Sequence, residues 1–325
     1  MKYTNLGNSG LQVSKLCLGC MSFGATNWIH DWVLDETESR KIIKSALDYG
    51  INFFDTANIY SMGVSEEILG RAIKDYANRS DVVVATKVYQ QMRDTPHGGG
   101  LSRKSIMQEV EASLKRLDMD YIDLLIIHRW DYKTPIEETM EALHDLKKSG
   151  KVHYIGASSM HAHQFQEAQY VAKMNGWTPF ISMQNHYNLI YREGEKDLIP
   201  VCDQHKVSLT PYSPLAAGRL ARAWDADTKR AQTDKTARKK YDETQEQDIK
   251  IVKRVQELAE RKGVKMAQIS LAWLFHKENV ASPVLGVTKM YQLDDAVAAL
   301  DITLTQEEIN YLEELYQPHR IQGPR

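Results

Sequence analysis

The sequence predicts a (β/α)8 TIM barrel with an N-terminal β-hairpin and extra C-terminal helices, and three observations lead there. Eight short apolar runs, each bounded by turn residues, alternate with stretches of helical spacing along the 325 residues. A polar or titratable residue stands at or just past the end of run after run, where a parallel barrel builds its site. No run is followed by a G-x-G-x-x-G turn, which counts against an open doubly wound sheet. The expectation is one domain over residues 1–325, with no linker and no internal repeat.

Tyr3 to Leu6, then Asn8-Ser9-Gly10, then Leu11 to Val13 reads as a hairpin ahead of the barrel. The first barrel strand is Lys15 to Met21. A helix follows from Asp35 to Gly50, with Ile42, Ile43, Ala46 and Leu47 on one face and glycine just past its end. Ile51 to Asp55 is too short and too bounded for a helix and reads as a buried strand. Ser65 to Tyr76 is amphipathic, with acidic residues in its first turn. Val82–Lys87, Tyr121–His128, Val152–Ala157, Phe180–Met183, Ser208–Tyr212 and Ser282–Gly286 are the later strands. Helices are expected over Ser102–Leu117, from Pro135 to Gly150, over 162–174 and near Asp197–His205. Residues 213–246 break the rhythm, being long, charged and poor in large aliphatics, as lids and binding loops are. Helices at 247–262, 266–277, 290–300 and 305–316 complete the chain.

Composition bounds the function. Hydrophobic residues make up 42% and charged residues 26%, so a folded core is expected. A net charge of -2 leaves no electrostatic footprint for nucleic acid, and no run of apolar residues is long enough to span a membrane. The N-terminus lacks the apolar region of a signal peptide, and three cysteines form no disulfide framework. A cytoplasmic enzyme is the expectation.

The strand ends carry the chemistry. They are Gly19 and Met21, Asp55 and Tyr60, Lys87, His128, Ser158 and Ser159, Gln184 and Asn185, Tyr212 and Ser213, and Gly286 to Lys289. A carboxylate ending a buried strand needs a partner, and Lys87 is the cation offered by the next one. An ammonium beside Tyr60 favours the phenolate and is expected to lower its pKa, making it a proton donor to a carbonyl. His128 would orient that carbonyl by hydrogen bonding. No side chain supplies the matching hydride, so a nicotinamide cofactor is implied. Ser158, Ser159 and Gln184 offer hydrogen bonds to a carboxamide, and Tyr212 a face for a flat ring.

With these residues in view, the chain resembles the aldo-keto reductase superfamily over essentially its whole length. Gly50-Ile-Asn-Phe-Phe-Asp-Thr-Ala-Asn-Ile-Tyr60 is similar to the segment bearing that family's catalytic Asp and Tyr. Ala85-Thr-Lys87 and Ile127-His128 match those bearing its Lys and His, and Ile155-Gly-Ala-Ser-Ser159, Gln184-Asn-His-Tyr-Asn188 and Tyr212-Ser-Pro-Leu-Ala-Ala-Gly218 resemble its nicotinamide segments. Gly286 to Asp295 resembles the stretch holding the adenosine and its 2′-phosphate. The resemblance implies NADP(H) and reduction of an aldehyde or ketone, with Tyr60 as general acid, Lys87 and Asp55 tuning it, and His128 orienting the carbonyl. It places Gly19, Met21, Asp55, Ser158, Ser159, Gln184, Tyr212, Ser213, Pro214, Leu215, Gly218 and Gly286 against the cofactor. Thr288 and Lys289 meet the 2′-phosphate, Gln292 and Asp295 the adenosine end, and Arg219 and Arg222 are phosphate clamps on this reading. Ser159 stands where the family often has Asn, Ala296 replaces an adenine-contacting Asn, and Lys289 lacks the arginine common nearby. His128-Arg129-Trp130-Asp131 departs from the frequent Pro-Asp pair and resembles the aryl-alcohol-dehydrogenase-like branch, some of whose members are associated with 1-deoxyxylulose 5-phosphate.

Blander readings stand beside these. Cys17-x-x-Cys20 reads as alternate burial in a strand before it reads as a redox pair. His161 and His163 have no third ligand at zinc spacing, so no metal is expected. Trp28, Trp32 and Trp130 follow strands one and four, and with Tyr60 and His128 they are expected to line a substrate pocket. A cofactor-sensing regulatory subunit and a sugar-phosphate enzyme remain open as alternatives, and so does the choice between monomer and homo-oligomer.

Overall fold

The structure is a computed structural model describing residues 1–25, 32–224 and 234–322. The hairpin forms first: β1 (Tyr3–Asn5) pairs antiparallel with β2 (Gln12–Ser14), Thr4 opposite Val13. Its Leu6 and Val13 are fully buried against Cys17, Phe53, Val83 and Ala281 at the N-terminal ends of the barrel strands. The hairpin therefore plugs the foot of the barrel, opposite the strand ends that carry the polar residues.

Eight parallel strands make the wall: β3 (Cys17–Gly19), β4 (Phe53–Asp55), β5 (Val83–Val88), β6 (Ile122–Ile127), β7 (Val152–Ser158), β8 (Ser182–Gln184), β9 (Ser208–Leu209) and β10 (Val284–Gly286). They run in chain order from β3 to β9, with β10 paired back onto β3. The remaining gap is bridged at Leu209–Val280 and Tyr212–Val284, where Leu209 N donates to Asn279 O and Val284 N to Pro211 O, each 2.8 Å. The wall is thus continuous and the fold is a (β/α)8 barrel.

Helices cover the outside: α1 (Glu36–Asp48), α2 (Val64–Tyr76), α3 (Arg103–Leu117), α4 (Ile136–Lys148), α5 (Ala162–Met174) and α6 (Leu198–Gln204). Consecutive members of this set pack on one another. Then come α7 (Lys235–Tyr241), α8 (Gln245–Lys262), α9 (Met266–His276), α10 (Met290–Ala298) and α11 (Gln306–Glu313), and α10 returns to touch α1. Capping residues explain several starts: Asp35 accepts from Glu38 N, Ser102 from Ser105 N, and Thr305 with Glu308 forms a capping box. Pro135 sits one residue ahead of α4, as its N-cap, rather than inside the first turn. The break at 213–246 is less irregular than its composition implies, because a 3-10 turn (Ala216–Gly218) and α7 lie within it.

Side-chain parity decides what faces the lumen. Successive strand residues point to opposite faces, so Val84, Leu125 and Ile127 join the large core under the helices. Val83, Ala85, Leu124 and Ile126 fill the barrel with Phe53 and Cys17. Register aligns Gly19, Asp55 and Ala85 across β3, β4 and β5, and Lys87 with Ile126 across β5 and β6. Counting in twos, Asp55, Lys87 and His128 all project inward at the upper rim. Cys17 and Cys20 are fully buried, and burial lifts both thiols far above their ordinary range, which suits packing and not redox exchange. Among the described residues no helix is long and apolar enough to cross a membrane.

Candidate active site

Lys87 organises the upper rim. Its side chain is fully buried, and its Nζ donates to Asp55 Oδ1 at 2.5 Å, Thr56 O at 2.8 Å and the Tyr60 hydroxyl at 3.2 Å. An ammonium has three donors, so all are used. Burial works most strongly against its charge, but the Asp55 carboxylate and the Tyr60 oxygen together outweigh it and hold the pKa above the ordinary lysine value. Asp55 Oδ2 accepts from Gln184 Nε2 at 2.8 Å, so the carboxylate is fixed at both oxygens.

Tyr60 reaches this cluster from the loop after β4, in a 3-10 turn over Tyr60–Gly63. The turn is tight: Ser61 and Met62 take left-handed φ of 49° and 54°. Gly24 makes room for it, since a Cβ there would lie 2.0 Å from Ser61 Oγ. The loop is tied down at its base, where Thr56 Oγ1 meets Ser65 Oγ at 2.9 Å and Ser65 Oγ donates to Cys20 O at 2.8 Å. Glu66, fully buried just beyond, accepts from Thr86 Oγ1 and Arg116 Nε, both at 2.5 Å.

The protonation state of Tyr60 differs from the sequence expectation. Burial pushes the phenol above the ordinary tyrosine value, and the pull of Lys87 offsets only part of that. The group is therefore a neutral phenol at neutral pH. It accepts from Lys87, which leaves its own O–H free to donate. His128 stands edge-on to it, ring centroids 6.0 Å apart at 84°. Burial, then the charges of Lys87 and Arg129, hold His128 well below its ordinary pKa, so it is a neutral imidazole. Its Nδ1 is buried with no protein partner among the described residues.

Tyr212 forms the far wall. Its ring stacks on His186 at 5.3 Å and 10°, and His186 stacks in turn on Tyr191 at 4.0 Å. His186 Nε2 lies 2.7 Å from Tyr241 OH, which ties the stack to α7. Lys240 Nζ sits 4.8 Å from the Tyr212 ring centroid. Burial raises the Tyr212 phenol, but Lys240, Arg129 and hydrogen bonding from Ser159 outweigh it and the pKa is lowered. Ser158 and Ser159 are buried beside it, their hydroxyls 3.2 Å apart, with Ser159 at φ 51°. Asn185 has both side-chain polar atoms buried without a partner among the described residues.

The other sequence-predicted residues divide. Gly19 and Met21 sit at the end of β3 and in the turn after it, and Ser213, Pro214 and Leu215 lead into the turn at Gly218. Arg222 lies over Gly218, whose added Cβ would be 2.1 Å from its Nη2. Arg219 is held by Asp242 at 2.6 Å and stacks on Trp224 and Tyr241, so it braces α7. Gln292 Oε1 accepts from Thr288 N at 2.9 Å and Lys289 N at 3.1 Å, closing the start of α10. Asp295 is paired to Lys265 at 2.6 Å. Lys289 is exposed and Gly286 with it. Trp130 packs half-buried on the main core and Trp32 is half-buried, while Trp28 lies outside the described residues. Among the described residues no three His, Cys, Asp or Glu side chains group to hold a metal, and His161 simply stacks on His163 at 5.6 Å.

Sequence reasoning missed Tyr89, Arg129 and Lys240 as rim groups, and named His186 only as part of a cofactor segment. Tyr89 is readable by parity, being the next residue but one after the inward Lys87, whereas Arg129, the immediate neighbour of the inward His128, is not. Lys240 is not, because its place depends on how α7 folds back.

The model of the aldo/keto reductase family matches residues 15–317. The chain belongs to that family. It is 46% identical to versiconal hemiacetal acetate reductase of Aspergillus parasiticus, over 99% of this chain and 98% of that protein. It is 45% identical to the aldo-keto reductase AMT2 of Alternaria alternata, over 99% and 93%. It is also 47% identical to a Schizosaccharomyces pombe protein provisionally named an aryl-alcohol dehydrogenase, over 99% and 97%. Membership makes the protein an oxidoreductase of the carbonyl–alcohol type.

Proposed function

We propose that the protein reduces an aldehyde or ketone to the corresponding alcohol with NADPH, reversibly, and that Tyr60 donates the proton. The observation that carries this reading is the saturated Lys87 ammonium, which touches Asp55 and Tyr60 together. Lys87 holds the phenol oxygen in place by donating to it. Tyr60 then gives its proton to the carbonyl oxygen as the carbon is reduced, and the neutral His128 ring fixes that oxygen by a hydrogen bond. The charge left on the phenolate is met by Lys87, whose own charge Asp55 keeps in place.

The rim fits a nicotinamide cofactor. The orphaned Asn185 amide, the Ser158 and Ser159 hydroxyls and Gln184 would hold a carboxamide, and the Tyr212 face would carry the ring. The start of α10, with the exposed Lys289, has the helix end and positive charge that suit a phosphate. When bound, the cofactor supplies the hydride that no side chain can. Trp130, Trp32 and Tyr89 favour flat, aromatic substrates, in keeping with the aryl-alcohol name of one relative.

The test is steady-state oxidation of NADPH and, separately, NADH against a panel of aromatic and aliphatic aldehydes, with products identified. Turnover of benzaldehydes with NADPH supports the reading. Cofactor binding without turnover of any carbonyl would turn it toward a cofactor-sensing role.

A further inference from the structure

We infer that Arg129 is an anion anchor in the substrate cavity, selecting carbonyl compounds that carry a carboxylate near the reacting group. The inference rests on the reductase reading for the identity of the site, though not for its test.

Arg129 follows His128 directly at the end of β6, so its side chain starts at the rim one residue from the neutral imidazole. It hydrogen-bonds the Tyr212 phenol, as Ser159 does, and its charge is felt at both Tyr60 and His128. The guanidinium is thus near both the proton-donating pair and the aromatic wall.

No carboxylate among the described residues pairs with it, and its Nη1 is buried without an acceptor. The nearest candidate in sequence is used elsewhere. Asp131 accepts from Leu101 N, Lys133 N and Thr134 Oγ1, and so folds its own loop. Asp55 is committed to Lys87 and Gln184. Other partly buried arginines have carboxylates: Arg116 has Glu66 and Arg219 has Asp242. A guanidinium with an unfilled buried donor and no paired carboxylate among the described residues attracts an anion, and its planar fork matches a carboxylate in two-point contact. Trp130 beside it supplies apolar wall for the body of such a molecule.

The experiment has two arms. In the first, kcat/KM is measured with NADPH for 4-carboxybenzaldehyde and for its neutral near-isostere 4-methylbenzaldehyde. Arg129→Met should cut the carboxylate-to-methyl ratio about 10- to 100-fold, with Arg129→Lys recovering part of it and the NADPH dissociation constant changing less than about threefold. In the second, benzoate and benzamide binding to the protein is followed by calorimetry without turnover. Wild type should favour benzoate and Arg129→Met should lose that preference, with Arg129→Gln as the substitute where the Met variant fails to fold. Equal losses for both aldehydes, a benzoate preference that survives the substitution, or a variant defective chiefly in NADPH binding would overturn the assignment. Arg129-dependent benzoate binding in a protein that reduces neither aldehyde would keep the anchor and remove the reductase reading.

Discussion

The Lys87 ammonium stands 3.2 Å from the Tyr60 phenol oxygen, and its two remaining donors are taken by Asp55 and the Thr56 carbonyl. The lysine cannot swing away without abandoning a buried carboxylate, so the phenol is held from behind and its proton faces the cavity. Tyr60→Phe keeps the ring and deletes the donor. Carbonyl reduction should fall by about 10²- to 10⁴-fold in kcat, the range for a positioned acid, with the NADPH dissociation constant nearly unchanged. A variant retaining most of its kcat would remove Tyr60 from the chemistry.

The same contact makes a prediction about stability. Asp55 is 2% exposed and Lys87 wholly buried. Lys87→Met leaves a buried carboxylate with Gln184 as its one side-chain donor among the described residues, at a cost of about 3–5 kcal/mol. Asp55→Asn together with Lys87→Met removes the stranded charge and should recover a large part of that loss, although both variants are inactive. Urea unfolding midpoints of the two proteins give the comparison; equal midpoints would mean that Asp55 is not held as a charged group.

His128 is neutral because burial and two neighbouring cations oppose its protonation, and Tyr60 is protonated because burial outweighs Lys87. The rate of reduction should then be level from about pH 6 to 9, with no limb near the ordinary histidine value, and decline only above about pH 10. Stability has the opposite weak side. His128 and His186 both have folded pKa values depressed below their unfolded ones. As pH falls below about 6.5 the unfolded chain binds protons there that the folded chain refuses, so stability drops with acidification. Each histidine contributes up to about 1.4 kcal/mol per pH unit in that window. Thermal unfolding from pH 7 to 5 should show a shallower slope for His128→Gln than for wild type.

The wall and its rim were legible because a barrel strand repeats every second residue. Asp55, Lys87 and the histidine past β6 can be placed inward by counting from Phe53, Val83 and Leu124, with no tertiary information. Tyr60 lay one loop further on, and only its spacing from Asp55 brought it in. The sign of its pKa shift was not legible: it depends on how much water the packed loop excludes, set by Gly24 under Ser61 and by side chains far apart in the chain. Arg219 shows a different limit. A basic residue after strand seven invites a phosphate role, yet Asp242, twenty-three positions on, engages it once α7 folds back.

Lys289 is exposed at the start of α10, at the positive end of the helix dipole. A 2′-phosphate there would gain from both the charge and the helix end. Lys289→Ala should weaken NADPH by about tenfold or more and NADH by less than about twofold, consistent with loss of one charge-assisted contact. The NADPH affinity of wild type should also fall with added salt more steeply than that of the variant. Titration of cofactor fluorescence measures both, and parallel effects on NADPH and NADH would place the phosphate elsewhere.

Ser159 is 5% exposed and holds a left-handed φ of 51° at the end of β7, its hydroxyl 3.2 Å from that of Ser158. For a serine this backbone region is unfavourable, whereas asparagine enters it several times more readily. Ser159→Asn should raise stability by about 0.5–1 kcal/mol, a fraction of the usual cost of a left-handed residue. The longer amide also reaches toward Asn185 and the Tyr212 hydroxyl, so the variant should bind NADPH at least as tightly as wild type. Thermal unfolding and a cofactor titration on the same preparation decide it. A lower unfolding temperature would show that the space around Ser159 is closed to the larger side chain and that its strain is fixed by packing, not by residue type.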